Sequence, residues 1–290
     1  MQVRVNGAEL EVELLGEDLG SAAPLLIAHH GGGGIGSLAE PRTTFGPLAR
    51  GGQACPQFRV LVFDARGCGR SEAVPPYSHA QWVADVDALR EWAGAERCVV
   101  AGGSYGGFIA LEYALAHPDR VQAVVLRDTS PDSSNLALAY ENACRQDRVA
   151  IDWDHFDRYW QGRVRSDAEL KALWAELIGL YDHDPDPARA AAAVEAGIYR
   201  HEAHNWCFQH NMGAYDLKPR LGEIRCPVLV TVGRHDWVTP VAMAETIVEL
   251  VPDGRLVVFE QSGHSPQVEE RDAFLATVSA FLDEVVPAPS

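Results

Sequence analysis

A serine flanked by glycines is the most informative chemical feature of the sequence. Residues 102–106 read Gly-Gly-Ser-Tyr-Gly, the G-x-S-x-G pattern, and they follow a β-branched run at 98–101 and precede a helical pattern. A strand–turn–helix of this kind exposes the serine hydroxyl at the top of a sheet. Glycines are needed there because side chains would collide with the neighbouring strand and helix. The pattern predicts that Ser104 is a nucleophile.

A serine hydroxyl needs a base to become nucleophilic at neutral pH, and the base needs a partner that holds its tautomer. Asp236 follows a strand-like run at 228–232, and His264 follows the next run at 256–259. The order Ser, acid, His suits a sheet of parallel strands that presents all three at its carboxyl edge. We therefore expect His264 to act as general base and Asp236 as the acid that orients it.

Each partner has a competitor. Asp128 follows the run at 123–126, at the end of another expected strand, and could be the acid instead. His235 is the rival base, but it lies on the wrong side of the acid in the chain order. The spacing favours Asp236 over Asp128 without excluding the latter.

The developing oxyanion needs donors already aimed at it. Residues 29–34, His-His-Gly-Gly-Gly-Gly, follow the run at 25–28 and match a loop that supplies one such donor. We assign the donors to the backbone N–H groups of Gly32 and Tyr105. A phosphate-binding loop is disfavoured because no Lys-Ser/Thr follows. Since neither HExxH nor a Cys/His cluster occurs, we expect no metal and no cofactor.

The elements that position these residues alternate along the chain. Continuous apolar runs at 25–28, 59–63, 98–101, 123–126, 228–232 and 256–259 are typical of buried parallel strands, and amphipathic stretches separate them. The opening segment around Asn6-Gly7 predicts an antiparallel hairpin at the sheet edge. The expected fold is α/β, with a mostly parallel central sheet flanked by helices.

One region breaks this alternation. Residues 131–222 contain no strand-like run, and they carry four of the seven tryptophans, Trp153, Trp160, Trp174 and Trp206. We predict that they form an inserted helical cap, and that residues 1–130 and 223–290 form the core.

The composition limits the classes of partner that the protein is expected to bind. A net charge of -17 argues against nucleic acid or an anionic membrane as a partner and leaves a small-molecule substrate. The N-terminus lacks a signal-peptide pattern, and the six cysteines show no CxxC pair, so we expect a reducing, cytoplasmic location. The oligomeric state is left open.

The chain resembles the α/β-hydrolases, and among them the proline iminopeptidase branch. The motifs that carry the resemblance are His30-Gly31-Gly32-Gly33-Gly34, Asp64-Ala65-Arg66-Gly67-Cys68-Gly69-Arg70-Ser71, Gly102-Gly103-Ser104-Tyr105-Gly106-Gly107, Asp236-Trp237-Val238-Thr239-Pro240 and Ser262-Gly263-His264-Ser265-Pro266. The resemblance implies an α/β-hydrolase fold and hydrolysis through an acyl-enzyme. Two departures concern substrate: the chain has glycine where the iminopeptidases have the proline of HGGPG, and Trp237 where some members place an acid.

The substrate pocket is the least determined part. Trp237 and the cap tryptophans, Trp206 among them, suggest an apolar or aromatic pocket, while Glu202 and Glu195 are either amine anchors or exposed helix charges. The leading hypothesis is a hydrolase of carboxylic esters, lactones or small amides. The alternatives are an N-terminal prolyl aminopeptidase, a cofactor-free perhydrolase and a binding protein that has lost catalysis.

Overall fold

The central element is a sheet of eight strands. A computed structural model describes residues 1–49 and 57–286; Cys55 lies outside these ranges. The described residues form the strands β1 (Gln2–Val5), β2 (Ala8–Leu15), β3 (Leu25–His29), β4 (Arg59–Phe63), β5 (Cys98–Gly103), β6 (Val121–Arg127), β7 (Val228–Gly233) and β8 (Gly254–Phe259). They lie in the order β1-β2-β4-β3-β5-β6-β7-β8.

The strand directions match the expectation of a mostly parallel sheet. β1 and β2 form the predicted antiparallel hairpin, and Asn6 and Gly7 turn it with φ of 46° and 81°. Two successive residues with positive φ suit the twist of a tight hairpin. β2 pairs antiparallel with β4, and β3 to β8 run parallel.

Helices cover both faces of the sheet. The helices outside the inserted region are α1 (Ala39–Phe45), α2 (His79–Trp92), α3 (Tyr105–Ala116), α9 (Val241–Leu250), α10 (Pro266–Glu269) and α11 (Arg271–Val285). Side chains of α2, α3 and α9 pack in one core layer, and those of α1 and α11 pack in the other. Strands β3 to β7 are buried between the two layers, as continuous apolar runs predict.

One strand departs from that expectation. The run at 256–259 was expected to be buried on both faces, yet β8 is the edge strand and only Phe259 in it is fully buried. An edge strand has a neighbour on one side only, so its apolar residues keep part of their surface in solvent. Apolar continuity alone does not separate an edge strand from a central one.

The segment between β6 and β7 is helical. It contains α4 (Asn135–Arg145), α5 (Trp153–Trp160), α6 (Asp167–Leu177), α7 (Pro187–Ala196) and α8 (His201–Trp206), followed by a wider π-helical turn over Cys207–Asn211. Its first part has its own apolar cluster, which includes Phe156, Tyr159 and Leu173. Its last part, with Cys207 and Met212, packs into the core layer of α2 and α3. Within the described ranges, no helix is both long and apolar enough to cross a membrane.

Candidate active site

Ser104 occupies a sharp turn between β5 and α3. Its backbone has φ 52° and ψ −122°, a conformation that non-glycine residues rarely adopt. The Ser104 N–H donates to the carbonyl of Arg127 at 2.8 Å, and the Ser104 carbonyl accepts from the N–H of Gly107 at 2.9 Å. A Cβ at Gly106 would collide with the carbonyl oxygen of His29. The turn is thus held in its strained form by the strand and helix around it.

His264 and Asp236 form a buried pair on the loops after β8 and β7. The Nδ1 of His264 donates to Oδ2 of Asp236 at 2.8 Å. The same carboxylate accepts from the N–H groups of Val238 and Thr239 at 2.8 and 3.0 Å, and from the Thr239 hydroxyl at 2.7 Å. These bonds fix the carboxylate, and through it the plane and tautomer of the imidazole.

The electrostatics of the pair favour its charged form. Burial by itself would raise the pKa of Asp236, but the charge and hydrogen bond of His264, together with Thr239, lower it below its usual value. Burial would likewise lower the pKa of His264, but the charge and hydrogen bond of Asp236 outweigh it and raise that pKa. An imidazole of raised basicity accepts a proton from a hydroxyl more readily.

Ser104 and His264 line the same cavity, which has a volume of about 230 Å³. Across the described ranges, Nε2 of His264 has no hydrogen-bond partner, so no hydrogen bond joins it to Ser104. The structure thus joins His264 and Asp236 by a hydrogen bond. Ser104 lines the same cavity as His264, but its hydroxyl is not hydrogen-bonded to the imidazole. Hydrogen bonds of this kind are often long in a free enzyme and tighten when substrate binds.

Asp128 lies next to this pair. Its carboxylate, the Asp236 carboxylate and the His264 ring each offer an atom within 4.8 Å of the others. Asp128 accepts from the N–H of Gly233 at 2.9 Å and is 3.2 Å from Nη1 of Arg127. Burial, followed by the charge of Asp236, raises the pKa of Asp128 to about 7. The hydrogen bond from Nδ1 of His264 goes to Asp236. Asp128 places a second carboxylate within 4.8 Å of the imidazole.

The two backbone donors assigned to the oxyanion both lie on the cavity wall. Gly32 has φ 60°, and a side chain there would collide with Ile35. In the part of the chain that the structure describes, the Gly32 N–H donates to no other group. Tyr105 is the first residue of α3, where backbone N–H groups lack partners within the helix and the helix dipole favours negative charge.

The Tyr105 side chain is fixed by a buried polar network. Its hydroxyl lies 2.6 Å from Nε2 of His79 and accepts from the amide of Asn211 at 3.0 Å. Nδ1 of His79 in turn lies 2.6 Å from the Glu112 carboxylate. This network anchors the first residue of α3, and with it one of the two candidate oxyanion donors.

Aromatic side chains form much of the cavity wall. The Phe, Tyr and Trp residues that line it are Tyr105, Phe108, Tyr159, Trp160, Trp174, Tyr181 and Phe208. Among the described residues, Glu40 is the one carboxylate on the wall, and it lies 3.1 Å from Nη2 of Arg127. The same guanidinium donates to the carbonyl of His264 at 2.9 Å. The charges on the wall are therefore already paired with each other.

The structure does not bring the predicted substrate-binding residues to this wall. Trp237 is buried behind it, edge-on to Trp160 and Tyr181 at centroid distances of 5.8 and 5.6 Å. Trp206 packs against Tyr77, because α8 turns that face toward the core layer of α2 and α3. Glu202 lies on the exposed face of the same helix.

The other cap carboxylate considered as an amine anchor, Glu195, pairs with Lys171 at the surface at 2.8 Å. Its side chain is 76% exposed, so solvent surrounds it on the outside of the inserted segment. Neither Glu195 nor Glu202 therefore faces the cavity.

Several lining residues gave no recognisable signal in the sequence. Arg127 ends β6, Asn135 begins α4, and Gln267 lies on α10 three positions after His264. Arg127 could have been suspected because it is the last residue of a strand, and Gln267 because it lies close in sequence to His264. Asn135 resembles any polar residue at a helix start.

The inserted segment touches the loop of the base directly. The backbone N–H of His264 donates to the carbonyl of Tyr181 at 2.6 Å. Glu269 accepts from the N–H of Gly263 at 2.7 Å and from that of His183 at 2.8 Å, so one carboxylate joins both segments.

The chain is similar to a described protein family and to named enzymes. The model of the family described as alpha/beta hydrolase fold matches residues 24–271. A proline iminopeptidase (PfmaB) of Pestalotiopsis fici is 29% identical over 97% of this chain and 99% of its own length. A 2-hydroxy-6-oxo-6-phenylhexa-2,4-dienoate hydrolase of Burkholderia cepacia is 27% identical over 91% of this chain and 89% of its own length.

Solved structures agree in fold. The enol-lactonase from Burkholderia xenovorans superposes with a TM-score of 0.77 at 24% identity, covering 97% of this chain and 99% of that one. At that identity the likeness concerns the path of the chain, and leaves the substrate to be argued from the site.

Proposed function

Because the chain belongs to the alpha/beta hydrolase fold family, we propose that it is a serine hydrolase of carboxylic esters or lactones that acts through an acyl-enzyme. The proposal assigns Ser104 as nucleophile, His264 as general base and Asp236 as the acid that orients it. Gly32 and Tyr105 supply the oxyanion donors. One observation carries the assignment: the strained Ser104 lines one cavity together with His264, and the imidazole of His264 is hydrogen-bonded to Asp236.

In the proposed reaction, Ser104 Oγ attacks the substrate carbonyl while Nε2 of His264 takes its proton. The negative charge that develops on the carbonyl oxygen is held by the N–H groups of Gly32 and Tyr105. His264 then gives the proton to the leaving oxygen, and the acyl group remains on Ser104. Water, deprotonated by the same imidazole, attacks the acyl-enzyme; the bond from the acyl carbon to Ser104 Oγ breaks, His264 returns the proton to Oγ, and the carboxylic acid is released. Asp236 stabilises the imidazolium at each stage.

A second candidate, hydrolysis of N-terminal prolyl amides, is raised by the name of the Pestalotiopsis relative. Such a substrate carries a positive amine, which a free carboxylate in the pocket would stabilise. Within the described ranges, the wall offers Glu40 alone, and Arg127 already pairs with it. This pairing favours the ester or lactone reaction over the prolyl amide.

The two candidates are separated by parallel assays of an aryl ester and a prolyl arylamide. We expect ester turnover, and Ser104→Ala should abolish it while the far-UV circular dichroism is unchanged. A fluorophosphonate should label the wild-type protein and leave Ser104→Ala unlabelled. Prolyl arylamide turnover far above ester turnover would reverse the choice of substrate. Ester hydrolysis by Ser104→Ala within tenfold of wild type would refute the mechanism.

We further propose that residues 131–222 act as a cap that shapes the substrate pocket. In support, Tyr159, Trp160 and Trp174 from this segment line the cavity beside Ser104.

A reducing, cytoplasmic location is part of the same proposal. In the described ranges, the five cysteines are unpaired thiols, and four of them are buried.

A further inference from the structure

The cavity beside Ser104 gathers polar atoms that lack partners. Over the described ranges, nine buried side-chain nitrogen or oxygen atoms have no hydrogen-bond partner, and five of them belong to residues on this wall. His264 Nε2 is one of the five, and catalysis explains it. Buried polar atoms are rarely left unpaired, so such a concentration in one cavity calls for partners supplied by a ligand.

Two of these atoms belong to lining residues that pack against the loop that carries Asp236. Asn135 is 2% exposed, and its Nδ2 donates to the carbonyl of Val238 at 3.5 Å, which leaves Oδ1 as the free end of the amide. The indole of Trp160 packs edge-on against Trp237, the residue before Val238, and its buried Nε1–H has no acceptor among the described residues. We call Asn135 Oδ1 and Trp160 Nε1 the polar pair.

The polar pair combines one acceptor with one donor. The indole Nε1–H can only donate, and the amide oxygen can only accept. A carboxylate would satisfy Trp160 but would be repelled by the oxygen of Asn135. An ammonium would satisfy Asn135 but leave Trp160 unpaired. A hydroxyl can donate to Asn135 Oδ1 and accept from the Nε1–H of Trp160.

The charges on the wall support a neutral ligand group. Arg127 is the cation on the described wall, and Glu40, Asp128 and the carbonyl of His264 already occupy its guanidinium. A substrate carboxylate would therefore meet no free positive charge. The surrounding rings of Tyr159 and Phe208 suit an apolar or aromatic frame around the polar group.

We propose that the substrate carries a hydroxyl group on its acyl part, bound between Asn135 and Trp160. This inference rests on the proposed hydrolase function and adds the class of substrate, hydroxylated acyl esters or lactones. Asn135 and Trp160 are specificity residues in this proposal, since they contact the substrate away from the bond that is cleaved.

The test compares esters that differ by one hydroxyl. The pairs are 4-nitrophenyl butanoate with 3-hydroxybutanoate, and 4-nitrophenyl 3-phenylpropanoate with 3-(4-hydroxyphenyl)propanoate. Each kcat/KM is divided by the rate constant for hydroxide, which removes differences in intrinsic reactivity. For the wild-type protein we expect the hydroxylated member of at least one pair to exceed its parent by about tenfold or more, as expected when a ligand satisfies buried polar groups.

Three variants test which side chains cause the preference for the hydroxylated ester. Trp160→Phe removes the N–H and keeps an aromatic ring, and Asn135→Leu removes the acceptor at similar size. Each should reduce the hydroxyl advantage to within about twofold of unity. Trp237→Phe is the matched control, because Trp237 also has a buried Nε1 without a partner in the described part but lies behind the wall. It should keep the wild-type advantage. Fluorophosphonate labelling counts the folded sites in each preparation.

Equal normalised kcat/KM within both pairs for the wild-type protein would overturn the inference, since solvent would then satisfy the polar pair. An advantage that survives in both Trp160→Phe and Asn135→Leu would overturn it as well. In either case Ser104-dependent turnover of the parent esters leaves the proposed function standing. Turnover of no ester, with no fluorophosphonate labelling, would refute the proposed function and this inference together.

Discussion

Replacing Asp128 with asparagine should move the acidic limb of the pH–rate profile to lower pH. In the proposed mechanism His264 must be neutral to act as the base, so kcat/KM should rise as the pH rises through the pKa of that imidazole. A carboxylate beside the ring favours the imidazolium and raises this pKa, and Asp128 is one of the groups that do so. Asp128→Asn removes the negative charge, while Oδ1 of the new amide can still accept from the N–H of Gly233.

The size of the shift follows from the geometry. A carboxylate oxygen of Asp128 and a ring nitrogen of His264 lie within 4.8 Å. At an effective dielectric constant of about 20, unit charges at that distance interact by about 3.5 kcal/mol, or about 2.5 pH units. Arg127, 3.2 Å from Asp128, neutralises part of this charge. Burial and then Asp236 raise the pKa of Asp128 to about 7, so it is only partly ionised near neutrality. We expect a shift of about 0.5–1 pH unit.

The shape of the limb provides an independent check. Ionised Asp128 raises the pKa of His264 over the pH range in which His264 loses its own proton. The wild-type limb should therefore be shallower than a single-proton titration, and the limb of Asp128→Asn should fit one proton.

The assay is kcat/KM for an aryl ester between pH 4.5 and 9 at constant ionic strength, a range of about two units on each side of an unperturbed histidine. Asp132→Asn is the control. Asp132 is also buried on the loop after β6, but its carboxylate accepts from Ser134 and pairs with Lys218 instead of facing the imidazole. An Asp128→Asn limb at or above the wild-type pH would refute the electrostatic reasoning.

Two further substitutions test the parts around the base and the oxyanion donors. Asp236→Asn should lower kcat/KM by about 10³–10⁴, less than Ser104→Ala, because asparagine favours the wrong imidazole tautomer. A loss below tenfold would mean that Asp128 orients His264 instead. Tyr105→Phe removes the hydroxyl that joins His79 and Asn211 and should lower kcat about tenfold with little change in KM, together with a loss of about 1–2 kcal/mol in the free energy of unfolding. Steady-state kinetics and urea unfolding measure both, and a rise in KM at unchanged kcat would argue against a role at the oxyanion.

The fold and the chain positions of the proposed triad follow from local patterns. The strand runs are contiguous in sequence, and a parallel sheet brings their carboxyl ends together whatever lies between them. The resemblance to the α/β-hydrolases, confirmed by the family match, rests on the same strand-end loops. Which carboxylate orients the base is a finer question, since Asp128 and Asp236 both follow strands and both come within 4.8 Å of His264.

The pocket was harder to predict because it depends on contacts between distant segments. The four tryptophans of the inserted segment look alike in sequence. In the structure Trp160 and Trp174 face the cavity, Trp206 packs against Tyr77, and Trp153 is 39% exposed. Their directions are decided by how α4 to α8 lie over the sheet, and helical periodicity within one short helix does not encode that.

The hydrogen bond from the His264 N–H to the carbonyl of Tyr181 joins the inserted segment to the loop that carries His264. Gly263 and His183 are also joined there, through Glu269. If residues 181–183 swing outward to widen the entrance, they withdraw a support from the loop that carries the base. Such an open form would hold Ser104 beside a poorly aligned His264, so under the proposed mechanism bond cleavage would require the closed form. Bulk water that enters such an open form would meet a poorly aligned His264 that could not activate it, so an acyl group on Ser104 would be protected until the entrance closes.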